Sequence, residues 1–201
     1  NRLPNRKELE QSQETLRGQR EWPAGVVEFL RKAPKDAEPM DVIRTAVSML
    51  GLYDPDLGKE ETPEVNLRRA RSITAKVGVI AAYFHRARQG KELPAVRGDL
   101  GEAAHFLYLM SGEAPSQEAA DTLDVAFVLH ADHGMNASTF SARVTISTLS
   151  DIYSAIPSAI GKLKGPLHGG ATGGGTRLQE ETGSRDRGAE HKREEEATKK
   201  E

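Results

Sequence analysis

The sequence predicts an all-α fold, a packed multi-helix domain, on three observations. Apolar residues recur at spacings of three and four through most of residues 23–171. Helix start and stop signals (Pro, Ser, Asp or Asn before, Gly or Pro after) bracket these segments. No segment alternates polar and apolar residues between turn pairs, as a half-buried strand would.

Residues 1–19 are polar, with Leu3, Leu9 and Leu16 as one thin apolar stripe. Pro4 before Lys7-Glu8-Leu9-Glu10 reads as a turn leading into a short helix. Pro23 opens a second helix that runs through Leu30, with Pro34 beyond its end. Asp41 is expected to cap residues 42–50, whose core face is Val42, Ile43, Ala46, Val47 and Leu50, and Gly51 to stop it. Residues 53–63 form a loop. Residues 64–89 are the longest clean helix of the first half, with Ile73, Val77, Ile80 and Phe84 turned inward and Arg68, Arg69, Arg71, Arg86 and Arg88 flanking them.

Gly90 ends that helix, and Asp99 is expected to cap the next, which carries Leu100, Ala103, Phe106, Leu107 and Met110. Gly112 stops it and Pro115-Ser116 starts another, with a buried stripe of Ala119, Leu123, Ala126, Phe127 and His130. Residues 138–162 read as one long helix whose inner face holds Val144, Leu149, Ile152, Tyr153, Ile156 and Ile160. Pro157 lies inside it, a local conflict worth about 3 kcal/mol if a helical hydrogen bond is lost.

At 201 residues the chain suits one domain with at most a small appendage. Its 28 basic and 30 acidic side chains nearly cancel, so no strong field points to nucleic acid or to an anionic membrane. No apolar run approaches the roughly 18 residues of a membrane span. Cysteine is absent, which excludes disulfides and thiolate chemistry and fits a cytoplasmic setting. Residues 172–201 hold only Leu178, Ala189 and Ala197 as apolar side chains, too few to offset ordering entropy. The expected organisation is therefore a helical domain over 1–171 and a polar, disordered or partly helical tail over 172–201. The first residue is Asn1 rather than Met, which makes a fragment the expectation.

Chemistry concentrates in two places, His130-Ala131-Asp132-His133-Gly134-Met135-Asn136 and Gly165-Pro166-Leu167-His168-Gly169-Gly170-Ala171, which hold three of the six histidines. His85 and His105 lie on apolar faces and read as core histidines. His130 shares the Leu123 and Phe127 face, so packing or support of a neighbouring ligand group is its expected role. His133 lies just past that helix, before Asn136 and Ser138, which are suited to cap the next one. A metal site on His130, Asp132 and His133 is the competing reading. The spacing matches no helical i,i+4 ligand pair, so no metal is expected.

His168 follows Pro166, a residue suited to a first helical position. At a helix N-terminus the positive end of the dipole favours neutral imidazole, which can donate a hydrogen bond to a carbonyl that becomes an enolate. Gly169, Gly170 and Ala171 leave room for a substrate. A glycine-rich loop with a chance histidine explains the spacing equally well. The glycines from Gly169 to Gly175 also suggest a phosphate loop, but the Lys-Ser/Thr pair and the preceding strand are missing.

At these residues the chain strongly resembles the citrate synthase family in its bacterial form. The hallmark run is His130-Ala131-Asp132-His133, Asn136-Ala137-Ser138-Thr139-Phe140, Ser150-Asp151 and Leu163-Lys164-Gly165-Pro166-Leu167-His168-Gly169-Gly170-Ala171. The likeness reaches back through Phe106-Leu107-Tyr108, Gly51-Leu52-Tyr53-Asp54 and Pro39-Met40-Asp41-Val42 to Arg2-Leu3-Pro4. It implies most of the family's large domain and a mostly helical homodimer. The implied enzyme is an acyltransferase of the tricarboxylic acid cycle. It would condense acetyl-CoA with oxaloacetate and water to give citrate and CoA, with acetyl-CoA as substrate and no resident cofactor.

By the same resemblance His168 is catalytic, hydrogen-bonding the thioester oxygen and stabilising the enol. His133, and Asn136 with less weight, would bind oxaloacetate; the supporting role of His130 rests on its helix face alone. Gly134 departs from the glutamate found in many members. The family's second oxaloacetate histidine, its base aspartate and its carboxylate-binding arginines have no match in the chain. A piece truncated at both ends and inactive alone is therefore expected. Two alternatives stand beside this reading: a 2-methylcitrate synthase piece that uses propionyl-CoA, and a non-catalytic dimerising remnant.

Overall fold

The computed structural model describes residues 2–169 and contains eight α-helices and one short 3₁₀ turn, with no strand among the described residues. The tail expected over 172–201, with Gly170 and Ala171, lies outside the described residues. The helices are α1 (Arg6–Gly18), α2 (Ala24–Lys32), α3 (Pro39–Leu50), α4 (Pro63–Arg88), α5 (Glu102–Ser111), α6 (Gln117–His130), α7 (Ala137–Ile146) and α8 (Ile152–Leu163), and the 3₁₀ turn is Gly51–Tyr53.

α4 is the hub: α1, α2, α3 and α5 all pack on it. Thr62 caps its start by accepting the Val65 N–H at 3.3 Å, with Pro63 at the first helical position. Ile73, Ile80 and Phe84 are buried as expected, among Val26, Leu30, Ala46, Val47 and Leu109. This core removes apolar area from water at about 25 cal/mol per Å². α3 packs on α8, α8 on α7, and α5 on α6, so α6 and α7 lie outside the α4-centred core.

Several local expectations change. Asp41 lies inside α3 rather than at its cap: Glu38 holds that position, with Pro39 opening the helix. Asp99 ion-pairs with Arg97, and Gly101 precedes α5. Arg69 and Arg86 do not flank α4 in solvent but are buried. Arg69 pairs with Asp54 and Glu61 and donates to Asp56 O at 3.0 Å, while Arg86 donates to Glu92 O at 2.6 Å. A buried guanidinium needs this many acceptors to offset its lost hydration. His105 is a core histidine; His85 is only half-buried, beside Gln89.

The largest correction concerns residues 138–162. They form not one helix but two, because the chain turns at Leu149 (φ 62°) and Asp151 caps α8 by accepting the Ser154 N–H at 2.9 Å. Leu149 is 93% exposed and Val144 is exposed, whereas Tyr153 and Ile160 are buried. Pro157 remains inside α8. On α6 the buried position is Ala120; Leu123 and Ala126 are half-buried, and Ala119, Phe127 and His130 are exposed. Phe127 keeps an edge contact with Phe106, with ring centroids 6.2 Å apart.

Candidate active site

The two histidine-bearing stretches meet at the N-terminal end of α7. Asn136 caps that helix, its side-chain oxygen accepting the Thr139 N–H at 2.9 Å. The other amides of the first turn have no acceptor within the helix, which favours a bound anion there. His133 lies exposed in the loop that enters the cap. Asp132 shapes this loop: its Oδ1 accepts the Gly134 N–H at 2.8 Å, and Gly134 takes the left-handed conformation (φ 61°) that costs glycine little. Asp132 is thus a turn former. Among the described residues no group of three or more His, Asp or Glu is placed to hold a metal ion.

His168 reaches the same place from the other side. It is not in the first turn of a helix of its own: residues 165–169 form a turn after the C-terminus of α8, closed by the His168 N–H to Gly165 O bond of 3.0 Å. The helix N-terminus it meets is that of α7, where its Nε2 lies 2.9 Å from Ser138 Oγ. An imidazole using Nε2 in this way has Nδ1 left for a substrate. Ser138 was legible in the sequence only as a possible cap. Its pairing with His168 depends on α8 packing along α7, which no local signal reports.

His130 does not pack into a core. Its Nδ1 is 2.7 Å from Ala126 O in its own helix, at the end from which the His133 loop departs. The structure thus brings His133, Asn136, Ser138 and His168 to one helix end, with His130 at the edge. A cavity of about 320 Å³ lies elsewhere, lined by Trp22, Tyr53, Ser72, Lys76 and Tyr153 among others. Lys76 there donates to Gln19 O at 2.6 Å and Ser72 Oγ at 2.7 Å, and burial lowers its pKa. That cavity shares no residue with the histidine site.

The family model described as "Citrate synthase, C-terminal domain" matches residues 1–201. A citrate synthase of Deinococcus radiodurans is 45% identical over 186 residues, covering 92% of this chain and 49% of that protein. A 2-methylcitrate synthase of Mycobacterium tuberculosis is 42% identical over 169 residues, covering 84% of this chain and 42% of that protein. The chain spans about half the length of the curated relatives it matches. Among solved structures, citrate synthase from Pyrobaculum aerophilum superposes with a TM-score of 0.82 at 40% identity, covering 90% of this chain and 47% of that one. The Thermoplasma acidophilum enzyme, solved as a ternary complex with carboxymethyl coenzyme A and oxaloacetate, superposes with a TM-score of 0.84 at 26% identity, with the same coverage of each chain.

Proposed function

The chain belongs to the citrate synthase family, and we propose that it supplies the His133 and His168 part of an active site that condenses acetyl-CoA with oxaloacetate. The observation that carries this reading is the His168–Ser138 pair at the N-terminus of α7, with His133 in the loop just before the cap. With Nε2 accepting from the Ser138 hydroxyl, Nδ1–H is the donor offered to the thioester oxygen. A neutral donor aimed at that oxygen stabilises the enol as negative charge develops on it. His133 and the α7 amides bind the dicarboxylate keto acid, whose charge suits a helix N-terminus. Asn136, whose Oδ1 caps α7, keeps its Nδ2 donor for oxaloacetate, and His130 supports the His133 loop from α6.

The enol carbon then attacks the ketone carbon of oxaloacetate, and water cleaves the thioester to release citrate and CoA. The chemistry needs no resident cofactor, since the CoA thioester is a substrate. Removing the methyl proton requires a base. The family's base aspartate and carboxylate-binding arginines have no match among these residues, so the 201 residues expressed alone are proposed to lack turnover. The 42% identity to 2-methylcitrate synthases supports propionyl-CoA as a second thioester. The exposed apolar side chains of α6 and α7, among them Val128, Leu129 and Phe140, support a homodimer through these helices. The absence of cysteine suits a cytoplasmic location.

The test is thiol release by the full-length protein from acetyl-CoA and, separately, propionyl-CoA, with and without oxaloacetate. Oxaloacetate-dependent release that is abolished in His168→Ala supports the reading, and the ratio of the two rates assigns the thioester. No oxaloacetate-dependent release from either thioester rejects it.

A further inference from the structure

We propose that the ion pair between Asp41 and Lys164 is a positioning device for His168, a proposal that rests on the catalytic reading of His168 given above. Lys164 is the C-cap of α8 and directly precedes the turn that carries His168. Its Nζ donates to both carboxylate oxygens of Asp41, at 2.8 and 2.6 Å, across 123 positions of sequence. Asp41 lies in the first turn of α3, so the pair joins the negative end of one helix dipole to the positive end of another. Arg44 Nη2 lies 3.1 Å from Asp41 Oδ1. The Lys164 hydrogen bond, with the nearby charges, holds the Asp41 carboxyl below the usual carboxylate range.

The backbone around Lys164 leaves little slack between this anchor and the imidazole. Lys164 N–H donates to Ile160 O at 3.1 Å, Gly165 N–H to Lys162 O at 3.1 Å, and His168 N–H to Gly165 O at 3.0 Å. Gly169 then folds back on α8 so closely that a Cβ there would lie 2.7 Å from Leu163 O. Residues 164–169 thus form a hydrogen-bonded knot with one side chain tied to α3, through Lys164, and one tied to α7, through His168. Release of the first tie lets the knot turn about the end of α8 and moves the imidazole relative to Ser138. Both members of the pair are partly exposed, so its loss costs little global stability, and a positional effect is separable from unfolding.

The experiment uses Asp41→Asn, Lys164→Met, the double variant and Lys164→Arg in the full-length protein. One readout is the His168 ring resonances in heteronuclear NMR spectra of ligand-free protein; the other is steady-state kinetics with oxaloacetate and acetyl-CoA. Each single neutralising variant is expected to shift the ring resonances and to lower kcat at least about threefold, with KM for the thioester held within about twofold. The double variant is no worse than either single one, because both remove the same interaction. Lys164→Arg stays near wild type. Ring resonances and kcat at wild-type values in both single variants overturn the proposal. A wild-type protein without turnover would instead reject the functional reading, and the resonances alone would decide the positioning role. If Asp41→Asn fails to fold, Lys164→Met, which keeps the aliphatic stem, carries the test.

Discussion

His168 Nε2 and Ser138 Oγ lie 2.9 Å apart although 30 residues separate them, and this contact ties the turn after α8 to the first turn of α7. It sets which ring nitrogen remains for a substrate. Ser138→Ala is expected to lower kcat about a hundredfold, the order of a catalytic group misplaced by about 1 Å, while costing about 1 kcal/mol of stability for a part-buried hydrogen bond. Steady-state kinetics and a thermal melt on one preparation check both. An unchanged kcat would mean that Ser138 does not orient the ring.

Gly134 presents His133 from a left-handed backbone, at φ 61°, with open space where a Cβ would go. Strain rather than collision therefore sets the effect of substitution. Gly134→Val should cost about 1–2 kcal/mol and Gly134→Asn much less, because asparagine tolerates this conformation. Urea unfolding ranks the two; equal costs would argue against a strained turn.

Arg69 is buried against Asp54, whose carboxylate is also buried. Arg69→Met is expected to cost about 3–5 kcal/mol, because it leaves that carboxylate desolvated and unpaired. Lys32→Met removes the exposed i,i+4 partner of a similarly exposed Glu28 and should cost under about 1 kcal/mol. A denaturant titration in which the two variants lose equal stability contradicts the contrast.

His105 is 2% exposed and its Nε2 accepts the Arg97 N–H at 3.3 Å. Burial, aided by Arg20 and Arg97, pushes its pKa from 6.5 down to about 4. The folded ring therefore stays neutral where the unfolded chain binds a proton. Stability should fall as pH drops from about 6.5 to about 4, by up to about 3 kcal/mol, and this contribution levels off below that. Urea titrations at several pH values compare wild type with His105→Gln, which should lack this part of the slope. Identical slopes would assign the pH dependence to other groups.

Val128 and Leu129 on α6 are 70% and 73% exposed. Val128→Glu in the full-length protein should convert the homodimer proposed above to monomer in light scattering, with helix content unchanged in circular dichroism. A variant that stays dimeric removes this face of α6 from the interface.

The sequence by itself determined the all-α class, the extents of α4 and α6, the stops at Gly90 and Gly112 and the family, because these depend on local preference and on contiguous strings. Ser116 illustrates this: it caps α6 through the Ala119 N–H at 3.2 Å, a contact three residues long. The break near Leu149 has one local signal, the Asp151 cap on the Ser154 N–H, but apolar periodicity runs straight through it, and it is the packing of α8 on α7 that outweighs that periodicity. The tertiary structure alone decided that Arg69 and Arg86 are buried, because a charged residue reads as solvated until the fold supplies its acceptors. It also replaced a helix start at His168 by a turn against the start of α7. Helix caps are bonds over three or four residues, whereas the Ser138–His168 and Asp41–Lys164 contacts span 30 and 123, a reach at which a sequence carries no local signal.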